Sequence, residues 1–87
     1  MSKFAKLLAK ILSAHGDKNV NFDDLCHLLF KLGFDSRIKG SHHIFYRKDL
    51  AEIINIQEQN GKAKPYQVKQ VRELILKYNL SIENEES

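Results

Sequence analysis

At 87 residues the chain has room for one compact domain and none for a separate cofactor domain, and its 43% hydrophobic content excludes an intrinsically disordered chain. The formal charge is +3, but Glu83, Glu85 and Glu86 crowd the last five positions, and residues 1–82 alone carry 14 basic against 8 acidic groups, a body of +6. A basic body fits a polyanionic partner, because Lys and Arg displace counterions from phosphate, and it fits ordinary solubilising charge as well.

Residues 3–14 place Phe4, Leu7, Leu8, Ile11 and Leu12 on one helical stripe, with Lys3, Lys6 and Lys10 away from it. The stripe predicts an amphipathic N-terminal helix, residues 1–18 with its connector, that packs on the domain or presents a basic face to a partner. Gly16 is the expected stop. The lysines interrupt the apolar residues, so nothing reaches signal-peptide or membrane-spanning length, and a cytoplasmic protein without membrane association is expected.

A second helix is predicted from Asn21, a good N-cap, with Asp23 and Asp24 in the first turn where the helix dipole favours negative charge. Leu25, Leu28, Leu29 and Leu32 form its apolar face; Gly33 ends it and Phe34 folds back. Cys26, the lone cysteine, forbids an internal disulfide and fits a reducing compartment. Cys26 and His27 are adjacent and diverge on a helix, and no Cys-x-x-Cys or His-x-x-x-His spacing occurs, so neither a metal nor another cofactor is expected.

From Phe34 the period changes to two. Phe34, Ser36 and Ile38 alternate with Asp35, Arg37 and Lys39, Gly40-Ser41 reads as a tight turn, and His42 to Arg47 is rich in β-formers. Lys48-Asp49 offers another turn and residues 51–57 a third strand. Such short connections require an antiparallel meander, since a parallel crossover needs about a dozen residues. Residues 58–64 read as a polar loop around Asn60-Gly61. Pro65 opens a last helix with Val68, Val71, Leu74, Ile75 and Tyr78 on its apolar face and Asn79 as its cap. The expected architecture is an α+β domain in the order α-α-βββ-α, a three-stranded antiparallel sheet with helices on one face, over residues 19–81; residues 82–87 read as a flexible acidic tail.

The segment Lys39-Gly40-Ser41-His42-His43-Ile44-Phe45 concentrates the chemistry. His42 opens a strand behind a turn, with Arg37, Lys39 and Arg47 close in sequence. These types suit phosphodiester cleavage without a metal. A base must take the ribose 2′-hydroxyl proton, and cations must stabilise the charged transition state. Histidine, with a reference pKa of about 6.5, can serve as base or acid. The two adjacent histidines must point to opposite faces of a strand, and a Ser41–His42 dyad is excluded for the same reason.

Leu32-Gly33-Phe34, then Gly40-Ser41-His42-His43-Ile44-Phe45, then Lys64-Pro65 resemble the HicA toxins of toxin–antitoxin systems over about Asn21 to Leu80. The resemblance implies a fold like that of double-stranded-RNA-binding domains. It implies metal-independent cleavage of mRNA by a catalytic histidine that follows the Gly-Ser pair, here His42, with Gly40 as the turn glycine. It also implies neutralisation by a HicB-type antitoxin. The residue reading adds Ser41, His43, Lys39 and Arg47 as candidate phosphate or RNA contacts. A non-catalytic RNA-binding module on the same fold, and a protein-interaction module, remain the alternatives.

Overall fold

The computed structural model describes residues 3–82. Helix α1 spans Lys3–Ser13 and α2 Phe22–Lys31, with a single 3₁₀ turn at Asp17–Asn19 between them. Strands β1 (Asp35–Lys39), β2 (His42–Tyr46), β3 (Ile54–Gln59) and β4 (Lys62–Ala63) follow, and α3 covers Pro65–Tyr78. The strands form one antiparallel sheet in the order β1-β2-β3-β4. This α+β layout is compatible with a double-stranded-RNA-binding-domain-like fold, with four strands where three were expected.

The fourth strand falls where the sequence reads as a loop. Asn60 and Gly61 both have positive φ, 53° and 78°, between the paired residues Gln59 and Lys62. That is the geometry of a two-residue type I′ hairpin, for which Asn-Gly is the preferred sequence. The short strand is held on its other side as well. Ala63 N–H donates to the Val20 carbonyl at 3.0 Å and Phe22 N–H to the Gly61 carbonyl at 3.0 Å. The third strand also lies further along than residues 51–57, because Leu50, Ala51 and Glu52 stay outside the ladder.

Both flanking helices end and begin as their local chemistry dictates. The Asn21 side chain accepts from Asp24 N–H at 2.9 Å, capping α2. Gly33, with φ of 95°, ends it, and Phe34 N–H donates back to the Leu29 carbonyl at 3.0 Å. Asn79, with φ of 52°, ends α3, and Leu80 N–H returns to the Ile75 carbonyl. The N-terminal helix differs from expectation: its first left-handed residue is Ala14, with φ of 63°, and Gly16 instead opens the 3₁₀ turn. The Ser13 hydroxyl donates to the Lys10 carbonyl and accepts from His15 N–H, which holds this tighter exit.

The core lies between one face of the sheet and the helices. Phe45, Ile54 and Ile56 point into it from the strands; Leu25, Leu28 and Leu29 meet them from α2, and Val68, Val71 and Leu74 from α3. Helix α1 adds Ile11, fully buried, with Phe4, Leu7 and Leu8 packed against the same cluster. Arg72 of α3 donates to the Ile11 carbonyl and pairs with Asp17, each at 3.1 Å, tying the exit of α1 to α3. Cys26 is buried in this packing, and burial pushes its thiol up to about 11, which keeps it protonated and unreactive at neutral pH. No helix among the described residues is long and apolar enough to cross a membrane.

At the far end of the sheet Glu52 accepts from Lys77 Nζ and from the Tyr78 hydroxyl, each at 2.6 Å, and so anchors the β2–β3 connection to α3. Those hydrogen bonds draw the Glu52 carboxyl from 4.5 down to about 2. A depressed carboxyl stabilises the fold fully above its unfolded value and ceases to do so as pH falls through its folded one. Stability measured by urea denaturation should therefore decline between about pH 4.5 and 2. In Glu52→Gln that decline should be shallower, and equal slopes in the two proteins would show that the anchor is energetically silent.

Candidate active site

The β1–β2 connection is only Gly40-Ser41, flanked by the pair Lys39–His42. Gly40 takes φ of 63°, and a Cβ placed on it would meet nothing within 4 Å. The glycine is required by conformation and not by crowding: a two-residue turn of this hand places glycine at its first central position. The turn sets His42 as the first residue of β2, locked in register between Lys39 of β1 and Gln57 of β3.

Period two then sorts the side chains. His43 and Phe45 face the helices; His43 is half-buried, with its ring edge-on to Phe22 at 4.9 Å. His42, Ile44 and Tyr46 take the opposite face, together with Lys39 and Arg37 of β1 and Asn55 and Gln57 of β3. His42 is exposed there, and its Nδ1 lies 3.0 Å from Asn55 Oδ1. A carboxamide oxygen only accepts, so Nδ1 carries the hydrogen in this contact, and in the neutral ring Nε2 is the nitrogen with the lone pair.

Around the imidazole runs a groove of about 270 Å³ lined by His42, Asn55, Gln57, Tyr66 and Gln67. Gln57 Nε2 donates to Ser41 Oγ at 2.9 Å, and Lys64 Nζ approaches Gln57 Oε1 at 3.5 Å. Gln67 is buried; its Oε1 accepts from Lys64 N–H at 3.2 Å and fixes the start of α3 at the groove edge. Lys39 and Lys64 thus stand on either side of the polar row His42–Asn55–Gln57. Among the described residues, no three His, Cys, Asp or Glu side chains gather as a metal site.

The structure brings together His42, Ser41, Gly40 and Lys39 of the residues singled out from sequence. It separates His43, on the other face, and Arg47. Arg47 lies just past the far end of β2, five residues or about 16 Å from His42. Its guanidinium is taken up by Asp49 at 2.9 and 2.7 Å and by the Leu32 carbonyl at 2.8 Å. Arg47 clamps the turn after β2 to the end of α2, and in doing so holds the Asp49 carboxyl below the usual range. The groove residues that sequence reading missed are Asn55, Gln57, Tyr66 and Gln67, with Lys64 beside them. The first two carried a signal: they alternate with buried Ile54 and Ile56, so they had to share a face of the sheet.

Fold and groove together describe a small α+β domain with one exposed, hydrogen-bonded imidazole on a lysine-flanked sheet face. The family model described as the HicA toxin of bacterial toxin–antitoxin systems matches residues 22–77, from the first residue of α2 to within one residue of the end of α3. The chain belongs to the HicA toxin family, whose members are toxins paired with an antitoxin and generally ribonucleases. No curated protein and no solved structure matches the chain. Helix α1 lies outside the matched residues.

Proposed function

We propose that the protein is an endoribonuclease that cleaves mRNA without a metal, inhibits translation and growth, and is neutralised by a HicB-type antitoxin bound over the His42 face. One observation carries the reading: an exposed imidazole on the wall of a groove, its Nδ1 3.0 Å from Asn55 Oδ1, with Lys39 paired across from it on β1 and Lys64 reaching Gln57 of the same wall. Nε2 of His42 takes the proton from a ribose 2′-hydroxyl. The resulting oxyanion attacks the adjacent phosphorus and expels the 5′-oxygen of the next nucleotide. The imidazolium so formed can return a proton to that leaving oxygen, so one histidine serves as base and then as acid. Lys39 and Lys64 stabilise the charge that builds on the phosphoryl oxygens. The first turn of α3 at the groove edge adds a favourable dipole. Ser41 and Gly40 shape the turn that sets the reach of the ring; His43 and Arg47 contribute through packing and clamping.

Asn55 touches no reacting atom in this scheme and acts as a positioning residue. Removing the partner that orients a metal-bound imidazole typically costs about 10- to 100-fold, and a similar loss is expected here. Asn55→Leu should lower kcat by that factor on a labelled RNA while its KM and RNA affinity stay within about twofold. Full activity in Asn55→Leu would remove the tautomer from the mechanism. If wild-type protein binds RNA and leaves it intact over hours at high concentration, the protein is an RNA-binding module on the same fold.

A further inference from the structure

Tyr66 is the one tyrosine of the chain with no engagement among the described residues. Tyr46 lies under the Arg37 guanidinium at 5.9 Å, and Tyr78 donates to Glu52 at 2.6 Å. Tyr66, at the second position of α3, is 65% exposed and lines the groove that holds His42. An exposed aromatic beside the reacting group has an obvious use on RNA. Attack by a 2′-oxygen requires that oxygen, the phosphorus and the leaving oxygen to fall in line, and a nucleotide stacked in an A-form duplex cannot reach that geometry. The reacting nucleotide must leave the stack, and its base needs another flat surface to rest on.

From this geometry, and resting on the ribonuclease reading above, we propose that the groove is a subsite for one unstacked nucleotide of single-stranded RNA. Its base stacks on Tyr66 and its edge is read by Gln57. At about 270 Å³ the groove lies near the lower end of small-ligand pockets, roughly 300 Å³, a scale that suits one base and not a duplex. Gln57 suits the reading role because its amide is oriented by a partner at each end. Nε2 is committed to Ser41 Oγ and Oε1 to Lys64 Nζ, which donates only. One N–H and one lone pair remain in fixed positions, a donor–acceptor pair of the kind a base edge presents. The protein therefore selects single strands by stacking and exerts a base preference at the reacting position through Gln57.

The test separates binding from cutting. With the non-cleaving His42→Ala protein, anisotropy of a labelled RNA should show single strands bound more tightly than the same sequence in a duplex. Adding Tyr66→Ala to that protein should weaken single-strand binding about 10- to 100-fold, the range for loss of a base–aromatic stack, whereas adding Tyr66→Phe should leave it within about twofold. In the otherwise wild-type protein, Gln57→Glu should change the base preferred at the cut site. Equal affinity for single strand and duplex would overturn the proposal. So would an alanine variant that binds RNA normally, including one that loses only antitoxin binding. If Tyr66 governs binding but no RNA is ever cut, this subsite stands and the nuclease reading falls. If His42 governs cutting and Tyr66 changes nothing, the reverse holds.

Discussion

His42→Ala is expected to abolish detectable RNA cleavage and to let cells expressing the protein grow as if it were absent. Loss of a general base or acid typically lowers a rate by about 100- to 10,000-fold, and here the same ring is asked to serve both steps, so the upper part of that range applies. The substitution should cost nothing else. His42 is exposed at the end of a strand, and such surface changes usually stay within about 0.5 kcal/mol of the parent stability. Lys39 and Lys64 remain in place, so the salt dependence of RNA binding should be unchanged and most of the affinity retained. A His42→Ala protein that folds, still cuts RNA and still arrests growth would place the chemistry elsewhere.

The second large effect is on folding. Phe45 sits on the helix-facing side of β2, 1% exposed, with its ring against Phe30 at 5.3 Å. It is the aromatic that fixes the strand carrying His42 onto the helices. Truncating a buried phenylalanine to alanine costs about 3–5 kcal/mol, from lost burial and from the cavity left behind. For a domain of this size that lowers Tm by about 12 °C or more. Thermal denaturation followed by circular dichroism should show this loss in Phe45→Ala. A Tm within a few degrees of wild type would mean that β2 is anchored by something else. In cells the variant should lose toxicity through lost protein, which immunoblotting distinguishes from the active-site effect of His42→Ala.

Much of the architecture was legible because periodic burial writes itself into the chain. The Leu25, Leu28, Leu29 and Leu32 stripe, the Asn21 cap and the Gly33 stop specify α2 almost residue by residue, and all four leucines are fully buried. What escaped was tertiary in origin. Strand β4 has two residues, too short for any period, and exists because Asn60-Gly61 turns the chain back and because Val20 and Phe22 pair with its outer side. Helix α1 ends at Ser13, before the left-handed Ala14, through side-chain hydrogen bonds that no glycine count foretells. In the site, His42 and its turn were visible as a local motif, and the division of His42 from His43 follows from strand geometry alone. Arg47 looked equivalent to Lys39 because both are near His42 in sequence. Strand length puts them at opposite ends, and Asp49, two residues on, takes the guanidinium. Asn55 and Tyr66 come from distant segments and join His42 in the groove only once β3 pairs with β2 and α3 docks at the sheet edge.

The central claim is that a ribose 2′-hydroxyl, activated by His42, is the nucleophile. Its most direct test is a labelled RNA carrying a single 2′-deoxy nucleotide at the mapped cut site. The wild-type protein should leave that one bond intact while cutting the all-ribose strand to a 2′,3′-cyclic phosphate end. Equal cleavage of the deoxy-substituted bond would contradict the mechanism outright.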